Sequence, residues 1–231
     1  MSKRRIGFFD FTGCEGCQLT VLNLEEQLLE LLELVEVVEF REVMSGTTDN
    51  LDIAFIEGSV RGEDEIERLR RVRQHAKVVV ALGACADTAG INALARYCEG
   101  EEEAPQPLHA FIKVDCRIPG CPIDGQEFLE VLQGLLLDRQ PELPVYSLCV
   151  ECKLAELPCT FEDDRLCLGP VVRAGCQAVC IVAGDRCRGC RGLVDNPRAM
   201  PYNRVLEEHG VSAEQILAEF RVFNIPREES S

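Results

Sequence analysis

No apolar run in this sequence approaches the roughly 18 residues that a membrane span needs. The longest candidate, Leu28 to Val38, is interrupted by Glu30, Glu33 and Glu36, so no membrane span is expected. Basic residues are scarce relative to acidic ones, 24 against 40, which gives a formal charge of −16 and a pI near 4.7. Such a chain repels phosphate backbones and anionic surfaces, which removes nucleic acid from the expected partners. Histidine is almost missing: His75, His109 and His209 are the three, and no two stand at ligand spacing. The three-glycine dinucleotide pattern is absent from the loop after the first apolar run, where Gly7 to Gly13 leads into a cysteine pair. No flavin or nucleotide is expected on this chain. An apolar export segment is lacking after Met1-Ser2-Lys3-Arg4-Arg5, and Arg4-Arg5 without one is a poor export signal, so a cytoplasmic location is expected.

Cysteine, by contrast, is abundant, at 14 in 231 residues. Disulfides are disfavoured in a reducing cytosol, and dense cysteine there more often binds metal. The length allows one domain or a domain with a smaller appendage. An apolar fraction of 46 % supports a real core.

Through residue 140 the chain alternates strand-like and helix-like segments. Ile6 to Phe9, Val35 to Phe40, Leu51 to Ile56, Lys77 to Leu82 and Ala110 to Val114 read as strands. Lys77 to Leu82 is a continuous apolar run of the kind covered on both faces of a parallel sheet. Val21, Leu24, Leu28, Leu31 and Val35 form one helix face, and Ile66, Leu69 and Val72 another. Phe128, Val131, Leu132 and Leu135 mark a last helix. This alternation predicts an α/β fold with a doubly wound parallel sheet. Gln140 to Pro144 is the expected boundary, dividing 1–140 from 141–231. Between Cys149 and Cys190 periodicity disappears and eight cysteines fall within 42 residues. A stretch that buries so little apolar surface is expected to need metal to hold it. Ser212 and Gln215 predict a capping box, with Ile216, Leu217 and Phe220 on the apolar side of its helix.

Four cysteines follow strand ends: Cys14 and Cys17 in Gly-Cys-Glu-Gly-Cys, Cys85 in Gly-Ala-Cys, and Cys121 in Gly-Cys-Pro. Loops at the carboxyl ends of parallel strands converge on one crevice, so these four can surround one object. The neighbouring glycines permit close backbone approach, and peptide N–H groups there can tune a bound cluster. Cys149, Cys152, Cys159, Cys167, Cys176, Cys180, Cys187 and Cys190 divide into two further quartets. Tetrathiolate ligation suits zinc or a 4Fe-4S cube. A zinc-stapled interaction module is therefore the alternative, although zinc ribbons commonly sit in basic chains.

With these residues set out, the sequence resembles the small subunit of nickel–iron hydrogenases, particularly the delta subunit of the cytoplasmic bidirectional and sulfhydrogenase type. Gly13 to Cys17, Gly83-Ala-Cys85 and Gly120-Cys-Pro122 resemble that family's proximal-cluster signature. Cys149-Val-Glu-Cys152, Leu168 to Cys176 and Cys187-Arg-Gly-Cys-Arg-Gly192 resemble its second-domain signature. The resemblance implies a flavodoxin-like first domain with a proximal 4Fe-4S cluster on Cys14, Cys17, Cys85 and Cys121. It implies a distal cube on Cys149, Cys152, Cys159 and Cys167, and a medial one on Cys176, Cys180, Cys187 and Cys190. Cys149 replaces a histidine of periplasmic relatives, and Cys180 stands where a proline accompanies a three-iron medial cluster, so a full cube is expected. The implied partners are a large subunit with the nickel–iron site and acceptor subunits carrying flavin, NAD(P) or further iron–sulfur clusters. Equivalent subunits of heterodisulfide-reductase-linked or complex-I-like enzymes are the alternative assemblies. The complex-I version normally lacks the eight-cysteine appendage.

Cys98 and Cys116 remain outside the quartets and are expected as small apolar residues. Glu15, between the first two ligands, either relays protons or caps the helix that begins near Cys17. Arg173, Arg188 and Arg191 lie among the cysteines and either offset thiolate charge or pair with a partner's carboxylates.

Overall fold

The computed structural model describes residues 3–40, 50–97, 103–196, 204 and 208–223. The chain separates into two compact units, Met1–Pro141 and Glu142–Ser231.

The first unit is built on strands β1 (Arg4–Asp10), β2 (Val35–Phe40), β3 (Leu51–Glu57), β4 (Ala76–Leu82) and β5 (Cys116–Ile118). All neighbours are parallel, in the order β2-β1-β3-β4-β5. This is the flavodoxin-like order, which reverses direction at β1 and β3 and leaves a ligand crevice beyond their carboxyl ends. Central strands must be apolar on both sides, and Ala54, Phe55 and Ile56 of β3 are fully buried. On one face Phe8 stacks on Phe40 and Phe55 at centroid distances of 4.6 and 5.0 Å. Helices α1 (Gly16–Leu22) and α5 (Gly125–Leu136) close that face with Val21, Phe128 and Leu132. Opposite, Phe9, Ile56 and Val79 pack with Leu69 and Val72 of α3 (Gly62–His75).

Two expected elements take another form. The helical face expected from Val21 to Val35 divides into α1 and α2 (Glu26–Leu34), and Val35 already belongs to β2. The chain breaks at Glu25, whose φ is 46°, while Leu24 packs against the sheet core. Residues Ala110 to Val114 are not a strand: Leu108–Ala110 is a short 3-10 turn, and the fifth strand is Cys116–Ile118. Asp115 explains the shift. Its N–H donates to the Val79 carbonyl at 3.0 Å, and its carboxylate accepts the Val79 N–H at 3.0 Å. A side chain thus completes the edge of β4 where backbone pairing was expected.

Asp115 also carries a pH dependence. Partial burial pushes its carboxyl up, but the Val79 N–H, Lys113 and Arg73 outweigh this and hold it below the usual value. A carboxyl lowered on folding stabilises the fold fully above its unfolded pKa of about 4, and that stability is lost as pH falls through the folded value. Asp115→Asn is therefore expected to cost about 1–2 kcal/mol at pH 7, with the gap from wild type narrowing as pH falls below about 4 in urea unfolding.

The second unit has α6 (Cys149–Leu154), α7 (Val179–Val182) and α8 (Ala213–Val222), joined by largely irregular chain. It buries more than its lack of periodicity suggests. Leu148, Phe161, Leu168, Val171, Val172 and Ile181 form a small core that also contains Cys167 and Cys187. Isolated bridges between Ser147 and Arg173 and between Val172 and Leu193 hold it. Such single pairings leave no periodic trace in sequence. Arg173 is buried and donates to the Pro144 carbonyl at 2.7 Å, the Leu193 carbonyl at 3.3 Å and Asp195 at 2.5 Å. Its guanidinium therefore organises backbone within the unit. Both bonds of the Ser212–Gln215 capping box form at the start of α8, at 2.8 and 3.2 Å.

Candidate functional site

None of the thirteen described cysteines is in a disulfide; Cys98 lies outside the described residues. Cys14 and Cys17 follow β1, Cys85 sits in α4 (Gly83–Thr88) directly after β4, and Cys121 follows β5. Their thiols influence one another. Burial pushes Cys85 up to about 12, and the charges of Cys121, Cys14 and Glu57 act in the same direction. Cys17 is raised first by burial, then by Glu57, with Cys121 and Cys85 adding to the effect. The loops that carry these four thus lie at the carboxyl ends of β1, β4 and β5, near enough for their thiols to act on one another's charge.

The backbone is shaped to these sulfurs. Gly83 has φ +85°, and a Cβ placed there would lie 2.4 Å from Cys17 Sγ and 3.4 Å from the Gly120 carbonyl oxygen. Only glycine fits both that conformation and that approach. The Ala84 N–H donates to the same Gly120 carbonyl at 2.7 Å, tying the Cys85 loop to the Cys121 loop.

Glu57, which ends β3, is the residue that sequence reading missed. Its carboxylate accepts the N–H groups of Cys17 at 3.0 Å and Gln18 at 2.9 Å. It thereby satisfies first-turn donors of α1 that the helix itself leaves without acceptors. Burial raises its pKa despite those bonds. Glu15 does not cap this helix: it occupies the cap position in a left-handed conformation, φ 62°, with no side-chain cap bond. The only available sequence signal for Glu57 was an acidic residue closing an apolar run just before Gly58.

The thiols of Cys149, Cys152, Cys159 and Cys167 also act on one another's charge. Burial pushes Cys149 up to about 12, with Cys167, Cys152 and Cys159 adding to it. Cys152 rises to about 11 from burial, then Cys167 and Cys159. A Cβ on Gly169 would lie 3.3 Å from Cys167 Sγ and 3.5 Å from Cys149 Sγ, so the two sulfurs flank a backbone that carries no side chain. The Gly169 N–H donates to Cys167 Sγ at 3.4 Å.

In the third quartet, burial raises Cys187, and Cys167, Cys190 and Cys176 add to the shift. Cys180 stands exposed on α7. It is raised by burial of its thiol and by Asp185, lowered by Arg188, and raised by one other cysteine, Cys167. Cys167 acts on thiols of both groups, as Cys176 does on Cys152, and Cys167 accepts the Cys187 N–H at 3.4 Å.

The arginines separate by role. Arg191 is buried, donates to the Ala174 carbonyl at 2.7 Å and offsets charge at Cys176. Arg188 is exposed beside Asp185 at 3.5 Å and lowers Cys180. Cys116 packs partly against the sheet core and is pushed up to about 11, chiefly by burial, with no other cysteine contributing. His209 lies 5.1 Å from the Phe161 ring, His75 ends α3, and His109 lies on the 3-10 turn. Among the described residues, no three or more His, Cys, Asp or Glu side chains form a group that could hold a metal ion.

Residues 14–135 match the family model described as NADH ubiquinone oxidoreductase, 20 Kd subunit. The chain is 35 % identical over 203 residues to sulfhydrogenase 2 subunit delta of Pyrococcus furiosus, covering 81 % of this chain and 86 % of that protein. It is 30 % identical to a subunit of the F420-non-reducing hydrogenase of Methanocaldococcus jannaschii, covering 92 % of this chain and 90 % of that protein. Among solved structures it is similar to a chain of an NAD+-reducing [NiFe]-hydrogenase in the H2-reduced state. The TM-score there is 0.56 at 29 % identity, over 62 % of this chain and 96 % of that one.

Proposed function

The chain belongs to the NADH ubiquinone oxidoreductase 20 kDa subunit family as a hydrogenase small subunit, and we propose that it relays electrons through three 4Fe-4S clusters in a cytoplasmic nickel–iron hydrogenase. Cys14, Cys17, Cys85 and Cys121 hold the proximal cluster, Cys176, Cys180, Cys187 and Cys190 the medial one, and Cys149, Cys152, Cys159 and Cys167 the distal one. When bound, such clusters supply one-electron steps at potentials set by charge, hydrogen bonds to sulfur and solvent exposure. Zinc supplies no redox chemistry, so it suits a subunit of an oxidoreductase less well.

The observation that carries this reading is the crevice at β1, β4 and β5, where the loops bearing Cys14, Cys17, Cys85 and Cys121 end and Gly83 leaves space against Cys17 Sγ. The chain's own residues do the positioning. Glu57 fixes the turn at Cys17, the Ala84–Gly120 bond joins the Cys85 and Cys121 loops, and Gly169 admits Cys149 and Cys167. Full thiolate ligation adds negative charge and favours low potentials, as a flavin or NAD(P)-linked acceptor requires. The likeness to a chain of an NAD+-reducing [NiFe]-hydrogenase supports that acceptor class. The nickel–iron site belongs to a large-subunit partner, and this chain is not catalytic alone.

A break in the relay tests the proposal. In the complex with its large subunit, Cys149→Ala is expected to lower hydrogen-driven reduction of the physiological acceptor more than tenfold while hydrogen–deuterium exchange at the large-subunit site persists. Acceptor reduction at the wild-type rate would overturn it.

A further inference from the structure

Glu151 lies between Cys149 and Cys152, yet its carboxylate binds the chain around another quartet's ligand. Its two oxygens accept the N–H groups of Gly175 at 2.7 Å and Ala178 at 3.2 Å, the residues that bracket Cys176. Between them the backbone is unusual: Gln177 and Ala178 both have positive φ, 54° and 53°. Such conformations persist in non-glycine residues only where surrounding contacts impose them. The Val179 N–H donates to the Cys176 carbonyl at 3.2 Å and tightens the same loop. Glu151 therefore holds the loop on both sides of Cys176 and places a negative charge beside that ligand.

We infer that Glu151, borne on the helix of one quartet, is a positioning residue for the cluster of the other: it shapes the Cys176 loop through two backbone donors and sets a negative charge beside it, which keeps that cluster's potential low. Hydrogen bonds to sulfur and net charge are the terms that set cluster potentials. The inference rests on reading Cys176, Cys180, Cys187 and Cys190 as a cluster site.

The test uses the purified complex, iron quantitation and EPR-monitored redox titration. The Cys176-quartet signal is identified as the one that changes form in Cys180→Pro. Glu151→Gln keeps the shape and one acceptor oxygen but loses the charge. It should retain full iron while the Cys176-quartet signal moves to more positive potential, further than the Cys149-quartet signal. Glu151→Ala should lose about four irons per chain, the Cys176-quartet signal going first. Unchanged potentials in Glu151→Gln, or a larger shift in the Cys149-quartet signal, would overturn the inference and leave the cluster reading intact. A wild-type complex with no Cys176-quartet signal would overturn both.

Discussion

Replacing Gly83 by alanine is expected to remove the proximal cluster, about four irons per chain, while leaving the other two quartets loaded. Two independent obstacles meet at this position. The φ of +85° is one that a residue with a Cβ rarely adopts, and the Cβ would sit 2.4 Å from Cys17 Sγ. Relief by moving Cys17 is resisted because Glu57 holds the Cys17 N–H and Val21 and Cys17 are packed in the sheet core. Relief by moving α4 would break the 2.7 Å bond from Ala84 to Gly120, and with it the relation between Cys85 and Cys121. Iron quantitation and EPR of the variant complex check this. A full complement of iron with an unchanged proximal signal would show that Cys17 is not held where the sulfur must be.

Replacing Cys180 by proline is expected to convert the cluster of its quartet from a cube to a three-iron form. Cys180 is the second residue of α7, so its N–H is among the first-turn donors that a helix leaves without internal acceptors, and losing it costs little. The preceding Val179 is pushed from helical geometry, a local cost at an exposed site. Cys176, Cys187 and Cys190 keep their surroundings, because Cys187 lies in the small core and Arg191 and Glu151 act on Cys176. EPR distinguishes the outcomes: a three-iron signal in the oxidised protein is predicted, and an unchanged cube signal would remove Cys180 from the ligand set.

The parallel sheet was legible because β1, β3 and β4 are buried on both faces and read as continuous apolar runs. The fifth strand was not. Cys116–Ile118 has three residues, too few for a pattern, and Asp115 supplies part of its pairing to β4 through a side chain. The break between α1 and α2 was hidden for a related reason, since the apolar spacing runs on while Leu24 is pinned by tertiary packing. The first four cysteines were legible as a group because they follow strand ends, whereas the assignment of the other eight to two quartets rested on the family resemblance. Glu57 escaped notice because its partners, Cys17 and Gln18, lie some forty residues away in sequence. Glu151 was visible as a residue between two cysteines, but its bonds to Gly175 and Ala178 depend on how an irregular loop folds back.

The most direct measurement is metal analysis of the anaerobically purified complex, combined with EPR under stepwise reduction. Twelve thiols in three quartets predict about twelve iron atoms on this chain and three reducible signals. A value near eight would contradict one of the three ligand sets. Zinc without iron would contradict the electron relay altogether.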